Sequence, residues 1–213
     1  MDAPCLQRLL VFEGTNKMDI SVISAPRLEI FGKLFDNFPK LQFSGTNFQE
    51  STIVSVTIVV HSLKVLALSD AKLSLDAVID LLKCFPNLEK LYIEASVENA
   101  RYHKCRKLIG TLDIRLRKIV LGNYQGSKSH INFAKFFVSF AKVLESMRLE
   151  SDVGNISKAW IARQRRLLNI NKRASSGARF NFVPPKIFTG SLDDLRALQV
   201  HDLSTTDPFQ RIL

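Results

Sequence analysis

Cys84-Phe85-Pro86-Asn87-Leu88-Glu89-Lys90-Leu91-Tyr92-Ile93 is the stretch that decides the fold. It passes from the end of an apolar helical segment, through a Pro-Asn turn, into a short strand whose inward residues are Leu88, Leu91 and Ile93. The cadence is an apolar residue, two spacers, an apolar residue, one spacer and an apolar residue. It returns at Leu6/Leu9/Val11, Leu63/Leu66/Leu68, Leu116/Ile119/Leu121 and Leu144/Met147/Leu149. Leu28/Phe31 begins it and loses step at Lys33. The first residues of successive copies (Leu6, Leu28, Leu63, Leu88, Leu116, Leu144) lie 22, 35, 25, 28 and 28 apart.

Apart from the long gap, which marks an insertion or a degraded unit, this spacing fits the roughly 20–29-residue period of a leucine-rich repeat. The expected fold is α/β: an irregular half-solenoid of parallel strands, with helices on its convex side. Ala3-Pro4 and Ala25-Pro26 each open a strand, because proline fixes φ and blocks a preceding helix. No polar capping segment precedes the first of them. The expectation is a piece of a longer protein, or an N-terminal edge covered by a partner.

Between the strands, residues 76–83 have helical spacing with Ser74 as N-cap. Residues 53–60 are β-branched, which argues for strand, but their place in the repeat argues for helix, and both stay open. Residues 94–107 and 122–129 read as exposed loops. Asn132 is expected to cap a helix to about 143, with Phe133, Phe136, Phe137, Phe140, Ala141 and Leu144 as its apolar stripe. A third helix is expected over 157–168, a last strand over 180–183 and a short helix over 191–198. The remainder, ending Asp207-Pro208-Phe209, reads as tail.

Bulk chemistry narrows the function classes. The 213 residues carry a net charge of +10, with 46% hydrophobic and 23% charged residues. That excess favours acidic partners, or is simply a solvated basic surface. Three cysteines, Cys5, Cys84 and Cys105, form no disulfide framework and fit a reducing compartment. There is no secretory h-region and no run near the roughly 20 apolar residues of a membrane span. The expected location is therefore intracellular, in cytoplasm or nucleus.

No catalytic constellation emerges, and the chain is expected not to be an enzyme. His103-x-Cys105 lacks the second ligand pair that zinc needs. Gly122-x-x-x-Gly126 lacks the Lys-Ser/Thr of a phosphate loop. No cofactor and no metal are expected. In a repeat solenoid the strand spacers face the concave side. They are Arg8, Val65, Lys90, Lys118 and Ser146 in one row and Leu10, Ala67, Tyr92, Val120 and Arg148 in the next. Lys90, Tyr92, Lys118 and Arg148 are thus the candidate partner-binding residues, a basic strip for an acidic protein segment. The basic run from Arg163 to Arg179 lacks exposed interleaved aromatics, so nucleic acid is the disfavoured alternative.

The runs Ala25-Pro26-Arg27-Leu28-Glu29, residues 85–93, and 116–121 through 148–150 closely resemble plant F-box/FBD/LRR-repeat proteins of the grass type. The most specific part, residues 132–137 through 143–149, is similar to the FBD unit that follows the repeats in that family. The resemblance implies repeats over 1–104, an FBD-like terminal unit over 105–183 and a weakly structured tail over 184–213. It also implies the part of a cullin-type ubiquitin ligase that selects the protein to be ubiquitinated. The chain departs from the pattern at Phe140, where the family has Asn before Ala141. It also has no F-box, so direct contact with the ligase adaptor is not expected. The alternatives are a basic nucleic-acid-binding protein, or a truncated relative with no independent function.

Overall fold

The computed structural model describes residues 2–11, 20–22, 24–33, 41–43, 46–49, 52–53, 59–97, 112–151, 156–184, 207 and 209. Seven parallel strands form one sheet in the order β1 (Arg8–Val11), β3 (Ile30–Lys33), β7 (Val65–Leu73), β8 (Lys90–Val97), β9 (Lys118–Gly122), β10 (Ser146–Glu150), β11 (Arg179–Val183). Each strand pairs with the next repeat's strand.

The register matches the spacing of the sequence. Leu9, Phe31, Leu66, Leu91, Ile119, Met147 and Phe180 form one row across the sheet. Leu68, Ile93, Leu121, Leu149 and Phe182 form the next row on the same face. Side chains alternate between faces, so both rows enter one core, and in the first row every residue from Phe31 to Phe180 is buried. Lys33, where the cadence fails, lies beside Val11 in the ladder.

A four-residue turn leads into the strands. Leu6, Leu28, Leu88 and Leu144 donate their backbone N–H to the carbonyls of Ala3, Ala25, Phe85 and Ala141, at 3.0, 3.1, 3.1 and 3.4 Å. Proline at the second turn position presets φ in the first three. The residue before β3, β7, β8, β9 and β10 then alternates in charge across the sheet: Glu29, Lys64, Glu89, Arg117, Glu145. Lys64 meets Glu29 at 3.1 Å and Arg117 meets Glu145 at 3.0 Å. These exposed pairs contribute about 0–1 kcal/mol each and favour the correct neighbour more than they add stability.

The core side is covered by α1 (Leu75–Cys84), α2 (Lys128–Phe140) and α3 (Lys158–Leu167). The first repeats differ from the expected all-helical cover. There β2 (Ile20–Val22), β4 (Leu41–Phe43), β5 (Thr46–Gln49) and β6 (Thr52–Ile53) form a second, mixed sheet. Val22 enters the same core as α1, and β6 lies beside α1. Within the 53–60 run, residues 54–58 lie outside the described residues, as do most of the 94–107 loop, the pair His103/Cys105 and the expected 191–198 helix.

Ser74 and Ser157 cap α1 and α3 through side-chain acceptance from Ala77 N and Trp160 N. α2 starts earlier than its apolar stripe suggests. Ser127, not Asn132, is its N-cap, accepting from His130 N at 3.2 Å. His130 is itself buried, which draws the first turn into the helix. Phe140, where the FBD pattern has Asn, is half-buried and packs on Phe136 with ring centroids 5.4 Å apart. Ser127→Ala should lower stability by about 1 kcal/mol, read as a shift of the denaturant midpoint at unchanged slope.

Candidate functional site

The sheet face away from the helices carries two rows of spacers. The first is Arg8, Ile30, Val65, Lys90, Lys118, Ser146 and Arg179. The second is Leu10, Gly32, Ala67, Tyr92, Val120, Arg148 and Asn181. The middle of this face is apolar, with Ile30, Val65, Ala67, Tyr92 and Val120 all buried. Phe209, 0% exposed, forms a second small core with these residues and Leu10.

Gly32 makes this possible. A Cβ at Gly32 would lie 2.1 Å from Phe209 Cζ, so the absent side chain is the notch that the ring fills. The Tyr92 ring meets the Phe209 ring at 5.5 Å in a tilted arrangement. Burying a phenylalanine contributes about 1.5–3 kcal/mol.

Two residues earlier, Asp207 fixes the segment in place. Its Oδ2 accepts from Tyr92 Oη at 2.7 Å and from Lys90 Nζ at 3.0 Å. Its Oδ1 accepts from the Phe209 backbone N–H at 3.1 Å, closing a side-chain turn. The Asp207 side chain is 5% exposed, so the cation and hydroxyl compensate a carboxylate taken out of water. Burial, then the hydrogen bond and charge of Asp207, raise the Tyr92 hydroxyl well above the ordinary phenol value, so it stays a donor. Lys118 Nζ lies over the Tyr92 ring, 5.2 Å from its centre.

The structure thus brings three of the four residues singled out in the sequence, Lys90, Tyr92 and Lys118, into one cluster. Tyr92 is fully buried rather than solvent-facing. Arg148 follows in the same row but its Nε donates to Glu150 Oε1, a carboxylate that is 3% exposed. Asp207, Phe209 and Gly32 were not singled out. The signal for them was the set of apolar spacers on a face that solvent would otherwise wet.

A second polar cluster holds the last repeat together. Tyr124 Oη donates to Gln164 Oε1 at 2.9 Å inside the core. His130 Nδ1 accepts from Gln125 N at 2.9 Å, which leaves its proton on Nε2. Gly126 has φ +67°, and a Cβ there would strike Gln164 at 2.8 Å. Trp160 and Phe182 meet Tyr124 edge-on.

The basic run from Arg163 to Arg179 is partly structural. Arg165 donates to the Phe180 carbonyl and lies over the Phe182 ring, and Arg173 donates to the carbonyls of Ser176 and Ile170. Cys5 and Cys84 are free thiols, and burial pushes Cys84 up to about 11, which makes it a poor nucleophile. Among the described residues, no group of His, Cys, Asp or Glu is placed to hold a metal. No described helix is long and apolar enough to cross a membrane.

A parallel sheet built from one strand per 22–35-residue repeat, with turn, strand and return segment, is compatible with a leucine-rich-repeat-like fold. Residues 1–93 match the family described as "FBD-associated F-box protein At5g56370, LRR repeats". Over that stretch the chain is similar to the repeats of FBD-associated F-box proteins, as its sequence resemblance implied. No curated protein and no solved structure gives a match.

Two measurements test this geometry. Tyr92→Phe keeps the ring and removes the donor to Asp207, and should cost about 1–3 kcal/mol, read by chemical denaturation. For His130, burial lowers the imidazole pKa below its ordinary value of 6.5. The unfolded chain therefore takes up the proton first. The contribution to stability is complete above 6.5 and is lost as pH falls from there through the lowered folded value. His130→Asn, which keeps an acceptor for Gln125 N, should flatten the melting-temperature difference between about pH 7.5 and pH 5.

Proposed function

We propose that this chain is a non-enzymatic protein-recognition module. Its docking surface is the strand face that a repeat solenoid makes concave, and Lys90, Tyr92, Lys118 and Arg148 belong to it. The observation that carries the reading is the match of residues 1–93 to the repeats of an F-box protein family. The in-register rows of that face support it, because they continue through β9 and β10. By that resemblance the chain corresponds to the part of a ubiquitin-ligase F-box protein that selects the protein to be modified. Repeats occupy 1–104 and an FBD-like unit 105–183.

Lys90 holds a carboxylate, Asp207, beside an apolar centre, and such a place suits an acidic protein segment better than a neutral one, since opposite charge raises association rate and specificity. Affinity capture from plant extract, with the wild-type chain and a Lys118→Glu/Arg148→Glu variant as baits, tests the reading. The expected result is a set of proteins retained by wild type and released by the variant, with the variant's melt still cooperative. Retention no different from bare resin, or identical for both baits, contradicts it.

A further inference from the structure

The contact between the sheet and Asp207/Phe209 has the form of short-peptide recognition. Its ligand side uses two anchors: the carboxylate of Asp207 and, two residues on, the aromatic ring of Phe209. Its receptor side is assembled from four strands. Lys90 and the Tyr92 hydroxyl take the carboxylate. Gly32 on β3, with Ile30, Val65, Ala67 and Val120, takes the ring. The segment that fills this seat comes from 115 and 117 positions away along the chain. In the seat it closes its own turn, through Phe209 N to Asp207 Oδ1.

We propose that this seat recognises an Asp-x-Phe segment of a partner protein, and that the chain's own Asp207 and Phe209 occupy it as a competing internal ligand. The proposal rests on the protein-recognition reading and sharpens it. It names the seat, the chemistry of the partner's motif and the segment that must leave. Charge complementarity selects an acidic residue at the first anchor. The Gly32 notch admits a flat ring at the second, and an intervening residue sets the spacing. An internal ligand acts at high effective concentration, so it holds the seat against a weak external peptide and yields to a stronger or multivalent one.

The test uses the full chain. A fluorescent peptide of residues 203–213 is titrated by polarisation against wild type and against a chain carrying Asp207→Ala and Phe209→Ala. The peptide should bind the double variant at least about tenfold more tightly than wild type, because the seat is no longer shared. Binding should be lost when the peptide itself carries Asp207→Asn or Phe209→Ala. It should also be lost when Gly32→Val, which fills the notch, is added to the double-variant receptor. Three results overturn the proposal: no peptide binding to the double variant, equal binding after Gly32→Val, or loss of the cooperative melt in the double variant. The last would make the segment an integral part of the core. If peptide binding fails while capture from extract succeeds, this proposal falls and the protein-recognition reading stands. If both fail, both fall.

Discussion

In-register parallel pairing is the constraint on which the rest of this structure depends. Once the strands align, every second residue of every strand shares a face with its counterparts, and a one-residue slip would turn the whole set over. The apolar rows led by Phe31 and Leu68 therefore go to one side together, and α1 to α3 and the small mixed sheet can cover them as a single core. The same alignment puts Ile30, Val65, Ala67 and Val120 together on the opposite side. Parallel sheets tend to be covered on both faces, and here the second cover comes from the far end of the chain.

The two faces are closed by different physics. The helix side is apolar, with buried rings such as Phe133, Phe136 and Phe137 packed on one another under α2. Among the described residues, the opposite side is closed by the Phe209 ring, and that ring is held by an ionic anchor beside it. A ring alone would leave Tyr92's hydroxyl buried without a partner, at a cost of about 1–3 kcal/mol. A carboxylate alone would be desolvated without an apolar gain. Together each offsets the other's deficit, which explains why Asp207 and Phe209 work as a unit.

The repeat strands were legible in the sequence because their signal is local. A cadence of apolar residues gives the register, Pro in the turn gives the strand start, and Ser74 and Ser157 give helix starts. The last strand, expected over 180–183, lies at Arg179–Val183. The start of α2 was misread because the apolar stripe begins at Phe133, whereas the helix begins where Ser127 can accept from His130 N. The second sheet was hidden because strand and helix signals compete in its short segments. The closure of the open face was hidden for another reason: it joins residues more than a hundred positions apart, and no periodicity spans that distance. Its only trace was a run of Val and Ala at positions where a solvated strand has polar residues.

For the candidate site, three of the four residues chosen from the sequence do converge, because a common register brings equal positions of neighbouring repeats side by side. Their surroundings differ from those of a free basic strip: Tyr92 is covered and Arg148 is tied to Glu150. The central claim is that Phe209 fills the notch at Gly32. Nuclear Overhauser contacts between the Phe209 ring protons and the Gly32 α-protons test it most directly in solution. The account predicts strong contacts, with Gly32 α-protons displaced from their random-coil positions by the ring current. Gly32 and Phe209 signals at random-coil positions, with no contact between them, would contradict it.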